Sequence, residues 1–138
     1  MDINELILTD EAMKVIDEGV WVGDLDGAPG VELLVTGLRA EAAQKCLNQK
    51  QAYYRQRNRG KPLTADQMTR SMGETLAEAV LKDWKGLKSG GKDIPYSREQ
   101  AEKWLLSRNG DKFAGLVIQA ASRVDDEANS FVSGVEKN

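Results

Sequence analysis

Apolar residues recur at every fourth position in the middle of the chain. They are Met68, Met72, Leu76, Val80 and Trp84. Residues four positions apart share one face of an α-helix, so this stripe predicts a helix whose apolar face packs into the core. Thr64 and Gln67 stand three positions apart before the stripe, which is the spacing of a capping box. We therefore expect a helix that opens at Thr64 and ends near Trp84.

Two helices are expected before this stripe. Thr9 or Asp10 is suited to cap a short first helix, because a side-chain oxygen there accepts the free amide protons of the opening turn, and Gly19 ends it. Residues 38–57 are rich in Ala, Gln, Lys, Leu and Arg, which are strong helix formers. Residues 58–62 contain Gly and Pro and break that second helix.

Two more helices are expected towards the C-terminus. Glycines and a proline in residues 85–96 predict a loop, and Ser97 with Gln100 forms a second capping box after it. The helix that begins there should end near Asn109. Residues 111–131 then keep apolar side chains on one side for about five turns, which predicts a single long helix.

Two short runs of β-branched and aromatic residues near the N-terminus predict strands. Residues 20–22 and 31–35 are joined by a segment rich in turn formers, so a β-hairpin is the natural interpretation. The predicted fold is mainly α, with four to five helices and a small N-terminal β-hairpin near residues 20–36. Residues 1–132 should form one domain, and residues 133–138 a flexible tail.

The charge is distributed unevenly along the chain. The formal net charge is -3, yet residues 39–61 contain seven basic residues and one acidic residue, so this segment carries +6 and the remainder -9. Its end holds a basic patch beside Tyr53 and Tyr54. The patch is Arg55, Arg57, Arg59 and Lys61. Cations that neutralise phosphates and rings that stack on bases are typical of nucleic-acid binding, which is the alternative function that we keep open.

The residue inventory argues against catalysis. The chain has no histidine and one cysteine, Cys46, which excludes an internal disulfide, zinc sites of the usual kind and nucleophiles paired with histidine. Residues 24–35 fail the calcium-loop pattern, and residues 86–92 fail the phosphate-loop pattern. We expect no enzyme, no cofactor and no metal. Without a signal sequence or an apolar run long enough for a membrane span, we expect a cytoplasmic protein.

The segment from Val80 to Phe131 resembles a known family. Its sequence contains Val80-Leu81-Lys82-Asp83-Trp84-Lys85-Gly86 and then Ile94-Pro95-Tyr96-Ser97, followed by two helices. This is similar to the tail assembly chaperones of long-tailed bacteriophages, in which a helix ends in a tryptophan-and-glycine pattern and a proline-tyrosine-serine motif opens the next helix. The match covers about the last sixty residues in detail.

The resemblance implies a function in tail morphogenesis inside the host cytoplasm. A chaperone of this family binds the long apolar tape measure protein and keeps it soluble until tail tube subunits polymerise around it, and it is absent from the finished virion. The resemblance also implies a longer product made by ribosomal frameshifting, which would contact the tail tube protein, and we expect a homo-oligomer. The candidate partner-binding or fold-defining residues are Met68, Met72, Trp84 and Tyr96. A virion structural subunit is a third possibility.

Overall fold

The computed structural model describes the backbone of residues 1–136 and the side chains of residues 1–132. Within this part of the chain it contains six α-helices: α1 (Asp10–Glu18), α2 (Glu41–Arg57), α3 (Ala65–Thr75), α4 (Arg98–Leu105), α5 (Asp111–Asp126) and α6 (Ala128–Glu136). The mainly helical class is confirmed, although the helices outnumber the four to five expected. The mobility predicted for residues 133–138 stays a prediction, since α6 runs to Glu136 and residues 137 and 138 lie outside the described residues.

The side-chain caps read from the sequence are present. The Thr9 side chain accepts from the amide of Ala12 at the start of α1. Thr64 and Gln67 form the complete capping box that opens α3. Ser97 accepts from the amide of Gln100 and opens α4, but no return bond from the Gln100 side chain occurs among the described residues, so the second capping box is incomplete. These caps depend only on residues three positions apart, which is why the sequence alone located them.

The N-terminal hairpin is present and gains a third strand. Strand β1 (Val20–Val22) pairs antiparallel with β2 (Glu32–Val35), as expected. The other edge of β2 pairs with β3 (Leu81–Lys85), also antiparallel, so the sheet order is β1-β2-β3. The register shifts between Leu34 and Val35, which marks a bulge in the second pairing.

The prediction of one helix from residue 64 through Trp84 was therefore wrong. Helix α3 ends at Thr75, one π-helical turn follows at Leu76–Val80, and β3 then begins at Leu81. The spacing of four predicted burial correctly in the second half of the segment, where Leu76, Val80 and Trp84 are all buried. Trp84 lies on the strand opposite Leu33, so the apolar edge of β2 determined the local structure and overrode the helical pattern.

Two C-terminal predictions also need correction. The segment 85–96 is not wholly a loop, because β4 (Lys88–Ser89) and β5 (Lys92–Asp93) form a small second hairpin in it. The single helix expected over residues 111–131 is two helices, since α5 ends at Asp126 and α6 begins at Ala128. The break lets α6 pack on α1, so apolar periodicity continues across a change of helix direction.

The core lies between the three-stranded sheet and the helices α1, α4 and α5. Its largest fully buried side chains include Ile16 from α1, Leu33 from β2 and Val117 from α5. Helix α2 differs from the rest, because Ala43 is its only buried residue among 17. It packs mainly against α3 and the π-helical turn. We call the helical hairpin of α2 and α3, residues 41–75, the arm, and the rest of the molecule the body.

Candidate functional site

Four aromatic rings form a cluster in the body. Trp84 contacts the rings of Tyr96, Trp104 and Phe113, with centroid distances of 4.9, 5.3 and 5.9 Å. The Trp84 indole donates to the carbonyl oxygen of Ile94 at 2.8 Å, so its polar atom is satisfied. Burial raises the pKa of the Tyr96 hydroxyl. Rings at these distances stabilise the body beyond simple burial.

Helix α5, the β1–β2 connection and Leu87 together line an open groove of about 570 Å³ beside this cluster. Trp104 and Phe113 from the cluster reach its wall. The lining is mainly apolar, with few charged side chains. Its lining includes Ala28, Leu87, Trp104, Phe113, Gly115 and Leu116. We call this feature the apolar groove.

Gly115 contributes no side chain to the lining of the apolar groove. It lies inside α5 with a helical backbone, where glycine costs about 0.5–1 kcal/mol relative to alanine. A Cβ at Gly115 would meet no atom within 4 Å, so no packing within the described chain requires a glycine. The missing side chain leaves space over the helix for an incoming group.

The two candidate methionines lie outside the apolar groove. Met68 is 53% exposed on α3, whereas Met72 is partly buried against the core. The expectation that both belong to a core face is wrong for Met68, because the outer side of α3 has no neighbouring element to cover it. Neither methionine meets Trp84 or Tyr96 in one site, so the structure does not bring the four candidate residues together.

A polar network holds the two helices of the arm together. Lys50 on α2 contacts Glu74 at 3.3 Å and Glu78 at 2.8 Å, and the Tyr54 hydroxyl donates to Glu74 at 2.8 Å. The hydrogen bond from Lys50 lowers the pKa of the Glu78 carboxyl and raises the pKa of Lys50 itself. Cys46 is half-buried near Glu78, and burial raises the pKa of its thiol, which makes it a poor nucleophile.

The basic patch lies at the far end of the arm. Its four cations surround the turn between α2 and α3, and all are exposed. We call Arg55, Arg57, Arg59 and Lys61 the arm tip. The Arg57 guanidinium donates to the Tyr53 hydroxyl at 2.9 Å and lies 5.4 Å from the ring centroid. None of the ion pairs among the described residues includes an arm-tip cation.

Asp125 joins the arm to the body and was missed from the sequence. This buried carboxylate on α5 accepts from the backbone amides of Leu38 at 2.9 Å and Arg39 at 3.1 Å, just before α2. Burial raises the pKa of Asp125, and the two amide hydrogen bonds oppose that rise. An Asp on a helix gives no sequence signal for such a contact, which spans more than eighty residues.

The described residues meet neither the requirements of a metal site nor those of a membrane-spanning helix. Among residues 1–136, no group of three or more Cys, Asp or Glu side chains could hold a metal ion. No helix in the same part of the chain is both long and apolar enough to cross a bilayer. What the described side chains present is an apolar groove on the body and a basic tip on the arm.

Comparison with known proteins gives an origin for this helical protein. Residues 38–138 match the family model described as YdaY prophage protein, which covers the arm, β3 and all the C-terminal helices. The chain belongs to the YdaY prophage protein family and is of phage origin. Comparison with curated proteins and with solved structures finds no match in either.

Proposed function

We propose that this prophage protein is a tail assembly chaperone that binds the tape measure protein and keeps it soluble during tail morphogenesis. The observation that carries the proposal is the apolar groove on the body, lined by residues of the segment that resembles such chaperones. Grooves of this kind receive the apolar face of an amphipathic helix. A tape measure protein is a long helical polypeptide with much apolar surface, so it is a partner of matching chemistry.

One part of the resemblance is weaker than the sequence suggested. The tryptophan pattern of these chaperones closes a helix, whereas Trp84 lies in strand β3 here. The support for the proposal is therefore the position of Trp84 and not its secondary structure. Its ring contacts Trp104 and Phe113, which line the apolar groove. Neither an enzymatic activity nor a cofactor is part of the proposal.

Gly115 provides a test that does not endanger folding. Gly115→Gln should fill the apolar groove with a side chain and stabilise α5 by up to about 1 kcal/mol, because glycine is unfavourable inside a helix. Gly115→Ala provides the matched control, with the same helical gain and an open groove. We expect the coexpressed tape measure protein to stay soluble with the wild type and with Gly115→Ala. With Gly115→Gln its soluble fraction should fall at least severalfold.

Each outcome of this experiment has a definite meaning. If the wild type leaves tape measure solubility unchanged, the chaperone function is wrong. If Gly115→Gln protects as well as the wild type, the function survives but the apolar groove is not the site. Mass spectrometry of purified virions adds an independent check, since a chaperone should be absent from them. Its presence there would favour a structural subunit.

A further inference from the structure

Two charged regions take part in no ion pair among the described residues. The ion pairs there join the π-helical turn to α2 and to α4 or join α2 to α3, or lie within α3, within α4 and between Arg123 and Glu127. The arm tip takes part in none of them. Neither does any acidic residue of segment 1–38, which we call the acidic region.

The acidic region carries a charge opposite in sign to that of the four arm-tip cations and about twice as large. It contains nine acidic residues and one basic residue, Lys14, so its formal net charge is -8. All nine carboxylates are exposed. The same region exposes apolar side chains that nothing in the described chain covers: Met1, Ile3, Leu6, Ile7 and Met13. Charge and apolar surface thus occur together at this end of the molecule.

A groove of about 330 Å³ lies at the surface of the acidic region, between α1, the start of β1 and Val132 of α6. Val15, Val20 and Val132 contribute apolar lining, and Glu11 and Glu18 contribute carboxylates. Lys14 also lines the groove, but the two glutamates outnumber it, so the net charge of the groove lining is negative. A partner that fits this surface needs both positive charge and a modest apolar group. The arm tip has both, because Tyr53 beside Arg57 is 54% exposed.

The arm tip and the contact of α2 with the acidic region lie at opposite ends of α2. The amide of Glu41, the first residue of α2, donates to Asp17 of the acidic region at 3.0 Å. Arg57 lies sixteen residues further along the helix, which is about 24 Å at the usual rise. Because charges more than about 8–10 Å apart are largely screened at physiological salt, Asp17 does little to neutralise the tip.

We propose that the arm tip of one copy binds the acidic region of a second copy, with Tyr53 against the groove between α1 and β1. Each contact joins two different surfaces, so each pair leaves one tip and one acidic region free for further copies. The inference does not depend on tape measure binding. Nucleic acid is the competing occupant of the tip, and the chain's own acidic region, opposite in charge and with exposed apolar side chains, favours a second copy.

Two neutralised variants test the contact. The tip variant carries Arg55→Gln, Arg57→Gln and Lys61→Gln, and the acidic-region variant carries Asp10→Asn, Glu11→Gln and Glu18→Gln. A matched control removes three exposed cations elsewhere, through Lys88→Gln, Lys92→Gln and Lys103→Gln. Circular dichroism establishes that each variant is folded. Sedimentation velocity of the purified chain alone, at about 100 µM and at low and high salt, measures association.

We expect wild type and control to associate at low salt and to dissociate at high salt. Each test variant alone should associate about tenfold more weakly, since exposed ion pairs contribute modestly and several are lost together. An equal mixture of the two variants should recover association but stop at a dimer, because only one productive contact remains. A growing assembly cannot form from that mixture.

Two results would overturn the proposal. One is a wild type that stays monomeric at low salt, and binding of a labelled single-stranded oligonucleotide to that monomer through the arm tip would assign the tip to nucleic acid. The other is a mixture of the two variants that associates no better than either variant alone. Neither result bears on the tape measure experiment with Gly115.

Discussion

The body and the arm of this molecule are stabilised in different ways. In the body, strand β2 has only four residues, yet Leu33 and Val35 are completely buried. In the arm, helix α2 has 17 residues, and Ala43 alone is buried. Burial of a large apolar side chain contributes about 1.5–3 kcal/mol, whereas an exposed ion pair contributes about 0.2–1 kcal/mol. The body therefore supplies most of the stability, and the arm depends on it.

Because the arm buries few apolar side chains, its exposed residues can vary with little effect on folding. The arm contributes little apolar burial, so its outer residues are free to carry the charge and the exposed Met68 that the sequence pattern assigned to a core. The body uses most of its apolar residues for packing and leaves the apolar groove and several apolar side chains of the acidic region exposed. Tape measure binding is thus proposed for the body alone, whereas attachment to a second copy joins the arm tip to the acidic region of another body.

The largest expected effect comes from matched leucines in the two regions. Leu33→Ala should lower the free energy of unfolding by about 2–5 kcal/mol, because it leaves a cavity between the sheet and α5. Leu47→Ala on α2 should cost less than about 1.5 kcal/mol, since Leu47 is only partly buried. Urea denaturation measures both. Equal losses would show that the arm is as tightly packed as the body.

The joint between the two regions should give an intermediate, pH-dependent effect. Asp125→Asn keeps one acceptor but loses the second amide hydrogen bond, so it should cost about 1–3 kcal/mol at neutral pH. The pKa of Asp125 is raised in the folded state, so the native protein binds more protons than the unfolded chain between the unfolded and folded pKa values. The contribution of Asp125 to stability therefore falls as pH rises through that window.

The difference between wild type and Asp125→Asn isolates this group from the other carboxylates. The free energy of unfolding of the wild type, relative to that of Asp125→Asn, should fall as pH rises from below the unfolded pKa of Asp125 through its folded pKa. Above the folded pKa the difference should be constant. Thermal or urea denaturation over acidic to neutral pH measures it. A difference that is flat across this range, or that slopes the other way, would mean that burial does not dominate at Asp125.

The smallest expected effect lies in the polar network of the arm. Glu74→Gln removes the negative charge shared by Lys50, Arg70 and Tyr54, and should cost about 0.5–1 kcal/mol. Much of that loss should disappear at about 0.5 M salt, because the contacts are partly exposed. Glu32→Gln is the control, since this exposed carboxylate makes no ion pair among the described residues. A salt-independent loss would indicate packing instead of charge.

The sequence predicted the parts of the fold that depend on near neighbours. The caps at Thr9, Thr64 and Ser97 and the pairing of β1 with β2 follow from residues close in the chain. The candidate site was less predictable. The tip cations were found from their clustering, but the apolar groove combines β1–β2, Leu87 and α5, which no local pattern brings together.

The sequence by itself determined the mainly helical class, the helix starts, the charge asymmetry and the absence of histidine chemistry, because composition and short-range spacing fix these properties. Only the tertiary structure decided that residues 81–85 pair with β2 as a strand, that α5 ends before α6, and that Met68 is exposed. The physical reason is that an apolar stripe records which side chains need burial, while the neighbouring elements decide which backbone conformation buries them.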